Sequence, residues 1–260
     1  MACLIDGFDH AIIGVADLEA ARLAWRRLGF TLCPRGRHIG WGTANYCIMF
    51  PDDYLELLGI VDATQFVNNL DVFLADQGEG LLGMAFASSD VDALAEKLNG
   101  EPQDLKRLLE LPEGTVEPRF KLVHPPRGIL PGLSGFFCNH LTPELMRQPD
   151  WLLHANGARR IAYITIGVED MAAAIDAYGR VFGTESVHQA DGGAYVRTGI
   201  GEMRLIHSDH APGLKELGVE VNDLTATEVF LKAAGISFSQ SPDGLSIDPA
   251  EATGAALAFI

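Results

Sequence analysis

A chain of 260 residues holds one large domain or two ordinary ones, and 48% hydrophobic with 21% charged residues is a globular mixture rather than a disordered one. The 35 acids against 19 bases leave a formal net charge of -16. Such a surface repels phosphate backbones, so nucleic acid is excluded as an expected partner, and solubility is the plain reading of the charge. No stretch reaches the roughly 20 apolar residues of a membrane span.

The start, Met1 to Asp6, lacks a basic region and has an acid inside any apolar run, so no signal peptide is expected and the cytoplasm is the expected compartment. Cys3, Cys33, Cys47 and Cys138 form no CxxC pair and read as reduced thiols.

In chain order, the residues from Asp9 to Val15 read as a strand. Asp17 then caps a helix whose apolar positions are Leu18, Ala21, Leu23, Ala24 and Leu28, and Gly29 ends it. Tyr46–Phe50 and Tyr54–Leu58 are short extended stretches. The same pattern returns with Met84–Ser89 before Asp90 and a helix from Val91 to Leu98. It returns again with Tyr163–Val168 before Asp170 and a helix from Met171 to about Phe182. A fourth copy has Val219–Asn222 before Asp223 and a helix from Leu224 to Ala234. Ile13-Gly14-Val15-x-Asp17 aligns with Ile166-Gly167-Val168-x-Asp170 without a gap. Segment 100–119, with its prolines and charges, is expected to be a helix plus loop.

One strand, one helix and about three strands, written four times, is a βαβββ array. A lone module leaves one sheet face bare, so modules must pair. The expected fold is α+β, four βαβββ modules arranged as two paired half-barrel units. The expected domains are 1–141 (modules 7–60 and 80–141) and 159–260 (modules 159–208 and 215–260). A connector, 142–158, has Thr142 as cap and Pro143 in a first helical turn.

Asp9-His10-Ala11 running into Val15-x-Asp17, then Gly29-Phe30 and Tyr54-Leu55-Glu56-Leu57, resembles the vicinal-oxygen-chelate superfamily. Phe136 to Leu145, with Trp151 and Asn156-Gly157-Ala158, is similar to a glyoxalase-like branch of it. The resemblance implies a cup holding a divalent metal (Fe, Mn, Zn or Ni), with ligands from the first and last strands of its modules. By position it makes His10 and Glu56 ligands, with His140 as a third about two residues from its expected place on the same strand face. A displaced or unbound Glu56 carboxylate would be the base. The alternative for His10 is a hydrogen-bonded core histidine, for Glu56 an outward-facing acid, and for His140 a strand end.

In the other copies Gly83, Tyr163 and Glu216 stand where His10 stands, and Arg204 or a neighbour stands for Glu56. The C-terminal pair therefore reads as structural, or as a lid and dimer surface. Arg35, Arg37, His38, Trp41 and Tyr46 read as hairpin surface, with lining of the cup as the alternative. His124, His154, His188, His207 and His210 read as surface or turn residues.

The resemblance implies a metal-dependent enzyme on a small carbonyl, hydroxy or aromatic compound, of lyase/isomerase or ring-cleaving dioxygenase type. Its alternative is a non-catalytic protein that sequesters a small molecule. A homodimer is likewise implied by the resemblance only.

Overall fold

A computed structural model describes residues 4–209, 211–241 and 243–260, so Cys3 and His210 lie outside the described residues. The first module is β1 (Gly7–Val15), α1 (Leu18–Arg27), β2 (Gly36–His38), β3 (Thr43–Met49) and β4 (Tyr54–Ile60). A helix, α2 (Leu70–Gln77), leads to the second module. That module is β5 (Gly80–Ala87), α3 (Val91–Leu98), β6 (Pro102–Leu111), β7 (Gly114–Val116), β8 (Arg119–Val123) and β9 (Gly135–His140).

The third module is β10 (Ala158–Val168), α4 (Met171–Phe182), β11 (Val187–Ala190), β12 (Gly193–Arg197) and β13 (Glu202–His207). The fourth is β14 (Gly213–Val221), α5 (Leu224–Ala233), β15 (Phe238–Ser241), β16 (Gly244–Ile247) and β17 (Leu257–Phe259). The four-module α+β fold expected from the repeat is what the chain forms.

Each module helix starts the same way. Asp17, Asp90, Asp170 and Asp223 turn their side chains back to accept from backbone N–H groups in the first turn, satisfying donors with no intrahelical partner. The repeated glycine has a packing reason. A Cβ on Gly14 would lie 2.9 Å from the Phe73 ring of α2, and one on Gly167 would lie 2.6 Å from the Lys215 side chain.

The modules pair into two sheets, one of nine strands in the order β2-β3-β4-β1-β5-β9-β8-β6-β7 and one of eight in the order β11-β12-β13-β10-β14-β17-β16-β15. In the first, β2 also pairs with β6, with Arg37 opposite Leu108 and His38 opposite Arg107. That pairing closes the N-terminal sheet into a barrel, whereas the C-terminal sheet stays open among the described residues. Outward residues such as Phe8, Ile13, Trp25, Ile48 and Leu57 join Ile164, Tyr178, Leu217 and Phe259 in one apolar core shared by both sheets. The barrel interior has its own smaller clusters, one around Cys33, Met49, Leu109 and Met146 and one around Phe120, Leu122 and Cys138.

Segment 100–119 is not helical. It forms β6, β7 and the start of β8, because Leu105, Arg107, Leu109 and Leu111 alternate inward while Asp104, Lys106 and Glu110 face out. Leu105, Leu108 and Leu109 also fit a helical spacing, and a charged residue at an inward position hides the two-residue period. The Pro143 segment is a single 3-10 turn, Pro143–Leu145, and the Thr142 hydroxyl accepts from the Arg119 N–H instead of capping it.

His154 is neither surface nor free. It receives the Thr31 N–H on one ring nitrogen and meets the Met49 carbonyl at 2.9 Å with the other, tying the connector to the barrel. Cys33, Cys47 and Cys138 are buried free thiols. No helix among the described residues is long and apolar enough to cross a membrane.

Candidate metal centre

β1 and β4 run parallel, with His10 opposite Tyr54 and Ile12 opposite Glu56. Strand parity sends Leu55 and Leu57 to the outer core and Glu56 inward, next to inward-facing Asn45 and Cys47 of β3. On β1 the parity is broken once. The pairing with β5 shifts between Phe8 and His10, so Asp9 is an extra residue in a β-bulge. Phe8 packs outward against Phe86, while Asp9 and His10, consecutive in sequence, both serve the interior.

His10 Nδ1 lies 2.6 Å from Asp9 Oδ2, and His10 Nε2 lies 3.4 Å from Glu56 Oε2. The other Glu56 oxygen receives the Asn45 side-chain amide and lies 3.9 Å from Arg107 Nη1. Asp9 also holds His140, whose Nε2 is 3.0 Å from Oδ1. The Tyr54 ring stacks on the His10 imidazole at 4.4 Å, and Phe136 meets the same imidazole edge-on at 5.6 Å. Asp9, His10, Glu56 and Arg107 are each buried.

Burial by itself would raise Asp9 and Glu56. Hydrogen bonds and the fields of the histidines outweigh it, with Arg107 adding to the effect at Glu56, and hold both carboxyls well below their ordinary range. Burial would likewise lower His10, but the bonds to Asp9 and Glu56 prevail and raise it. His38 has no such partner, and burial lowers it.

Among the sequence-derived site residues, His10 and Glu56 therefore stand face to face, and His140 reaches them only through Asp9. Its displacement is larger than expected. The β5–β9 register sets Ala85 opposite Phe136, as Ile12 stands opposite Glu56, so Phe136 holds the last-strand place and His140 lies four residues further on. The second module's first-strand place is Gly83. Two of the four places that the pairing of modules offers thus carry no donor.

The pair that remains fits a divalent ion. Donors bound at 2.0–2.2 Å sit roughly 3–3.5 Å apart around one ion, which matches His10 Nε2 and Glu56 Oε2. Each is held from behind, His10 by Asp9 and Glu56 by Asn45, the outer-shell arrangement that orients metal ligands. Asp9, Cys138 and His140 are a second possible metal-binding group, with ligand atoms within 4.8 Å of one another. There, burial pushes the Cys138 thiol well up, against the thiolate a metal needs.

Asp9, Asn45 and Arg107 were missed as site residues. The bulge that turns Asp9 inward has no sequence signature, and Arg107 sits on the strand misread as a helix.

The other sequence candidates are at the rim or outside. Arg35, Arg37, His38 and Trp41 line a cleft of about 530 Å3 beside the β2–β6 seam. Tyr46 belongs to the outer core and donates its hydroxyl to Glu19. In the C-terminal sheet Thr165 stands opposite Arg204, so Arg204 is the register equivalent of Glu56. Its guanidinium lies 3.5 Å above the ring of Tyr163, the equivalent of His10, and the Tyr163 hydroxyl donates to Glu216. A cation–π contact fills the place that the N-terminal sheet gives to a histidine and a carboxylate.

Paired βαβββ modules curled around a carboxylate–histidine interior define a protein of the vicinal-oxygen-chelate fold. More narrowly, the chain belongs to the glyoxalase-like domain family, whose sequence profile matches residues 8–182. A hypothetical protein from Staphylococcus aureus is similar over 97% of this chain and 98% of its own, with a TM-score of 0.72 at 14% identity. A xylose isomerase-like TIM barrel/4-hydroxyphenylpyruvate dioxygenase fusion protein matches 100% of this chain with 49% of its own (TM-score 0.60, 14% identity). A mutant 4-hydroxymandelate synthase from Streptomyces coelicolor matches over 92% and 77% (TM-score 0.59, 14% identity). At such identities the likeness is one of fold. No curated protein matches the sequence.

Proposed function

We propose that the closed N-terminal barrel is the working site of a divalent-metal-dependent enzyme acting on a small carbonyl, hydroxy or aromatic compound. The reaction would be of lyase/isomerase or dioxygenase type. One observation carries the reading: His10 Nε2 and Glu56 Oε2 face each other at 3.4 Å, each anchored at its far end. When bound there, the ion would supply Lewis-acid polarisation of a substrate oxygen. His10 and Glu56 would hold it.

Asp9 keeps the His10 imidazole in the orientation that presents Nε2. Asn45 donates to one Glu56 oxygen, with Arg107 3.9 Å from it, leaving the other for the ion or, when it swings free, for a substrate proton. Tyr54 and Phe136 wall the imidazole off from water. The dioxygenase and synthase names of the structural neighbours agree with chemistry on a small aromatic acid but do not select it.

Elemental analysis of purified protein tests the reading. The expected result is a first-row metal in wild type and its loss in His10→Ala and in Glu56→Gln. Equal metal content in all three would sink it. The second reading, a non-catalytic sequestering protein, draws on Gly83 and Phe136 at the two donor-free places. It would be favoured by small-molecule binding that persists in excess chelator with no turnover.

A further inference from the structure

Arg107 is a buried cation without an adequate anion. Its side chain is 3% exposed inside the barrel, and its nearest carboxylate oxygen, on Glu56, is 3.9 Å away and already receives Asn45. Two of its donors point at sulfur, Cys47 Sγ at 3.4 Å and Met146 Sδ at 3.1 Å, and Nε has no hydrogen-bond partner. Guanidinium has five donors in a fixed fork, and thiols and thioethers are weak acceptors. The Phe120 ring, 5.3 Å from the guanidinium carbon, offsets part of the cost of burying this charge, but the hydrogen bonds of the fork stay unmet unless something else completes them.

Met146 is fully buried and is the one sulfur of that shell that no barrel strand carries. It follows the Pro143–Leu145 turn of the connector, and its side chain is unbranched and adaptable. It packs in one apolar cluster with Cys33, with Trp151 against it. Those two residues also line a cavity of about 890 Å3 that opens outside the barrel. Arg22, Arg26 and Arg35 line the same cavity together with Glu110, and Arg22 is paired with Glu19 at 2.7 Å and Arg35 with Glu110 at 3.5 Å. Three guanidiniums against these two carboxylates leave a small positive balance at the mouth, which favours entry of an anion.

We propose that the barrel interior takes a small organic carboxylate, which enters from this cavity, displaces the Met146 thioether and is gripped by the Arg107 fork beside His10 and Glu56. A planar carboxylate matches two parallel N–H donors of that fork. The proposal rests on reading the barrel interior as the working site, and it names the substrate class for that site.

The test uses the full chain, benzoate as probe and benzamide as its uncharged counterpart, with binding followed by calorimetry in excess EDTA. Benzoate is expected to bind about tenfold or more tightly than benzamide, the discrimination of a charge-assisted pair. In Arg107→Met, with folding checked by circular dichroism, that preference is expected to vanish. In Met146→Ala, benzoate is expected to bind more tightly than in wild type. Equal binding of the two probes by wild type overturns the proposal, as does an Arg107→Met protein that keeps the preference.

Should Arg107→Met not fold, Met146→Ala decides alone, and unchanged benzoate affinity there overturns the proposal. Because the assay is metal-free, its failure is separate from that of the metal reading. Benzoate binding through Arg107 in EDTA, together with no first-row metal in the protein as purified, would support this proposal and sink the other.

Discussion

Asp9 and His10 are neighbours in sequence, face the same barrel interior, and share a contact of 2.6 Å between a carboxylate oxygen and Nδ1. A regular strand forbids this, since successive side chains point to opposite faces. The bulge permits it, and so gives the histidine the carboxylate partner that an orienting shell requires.

Replacing Asp9 by Asn should therefore act on stability and on metal together. The amide keeps the shape but loses the charge that faces two histidines. A cost of about 1–3 kcal/mol in urea unfolding is expected, together with a roughly 10- to 100-fold loss of metal affinity. A variant with wild-type metal affinity would show that Asp9 does not orient His10.

Metal uptake should depend on pH with a definite sign. The bonds to Asp9 and Glu56 raise His10, so near neutrality its imidazole carries a proton that an ion must displace. Uptake is expected to strengthen as pH rises through the His10 titration. Equilibrium dialysis at several pH values checks it, and a flat profile contradicts it.

Asp53 joins the two halves of the molecule, accepting the Ile161 N–H on both carboxylate oxygens, and burial pushes its carboxyl up to about 8 from an ordinary 3.8. The folded group is raised, so its neutral form favours folding fully below about pH 4. That contribution is lost as pH rises through about 8. Asp53→Asn removes the titration and keeps an acceptor. At pH 9 it should be more stable than wild type by at least about 1 kcal/mol, with the difference shrinking towards pH 4 in denaturant titrations.

Gly14 and Gly40 should separate close packing from backbone conformation. A Cβ at Gly14 meets the Phe73 ring at 2.9 Å, whereas Gly40 has a φ of +77° and nothing within 4 Å of its Cβ position. Gly14→Ala is expected to cost about 1–3 kcal/mol through overpacking. Gly40→Ala should cost about 1–2 kcal/mol through its left-handed backbone alone. Thermal melts of the two, combined with a Phe73→Ala background, check the assignment. Only the Gly14→Ala penalty should shrink in that background.

The four module helices were legible because their signals are local. An aspartate cap, apolar residues at helical spacing and a glycine or asparagine near the end act within a dozen residues, whatever the rest of the chain does. The Gly14 and Gly167 repeats tied the modules together for the same reason. His10 and Glu56 were legible as a pair because the family motif fixes their places on β1 and β4, and parallel pairing sets His10 opposite Tyr54, two residues before Glu56.

The tertiary structure alone decided what surrounds that pair. Strand β6 is set by its long-range pairing with β8 and β2, which overrides a segment whose local spacing also suits a helix. Closure of the barrel brings Arg107 beside Glu56, 51 positions earlier in the chain, and the bulge turns Asp9 inward. The sequence by itself determined the repeated modules, because short-range periodicity encodes them, and its resemblance to a known family marked the histidine and carboxylate that face each other. Barrel closure, the inward Asp9 and the weakly satisfied Arg107 came only with the tertiary structure, because each depends on register between strands far apart in the chain.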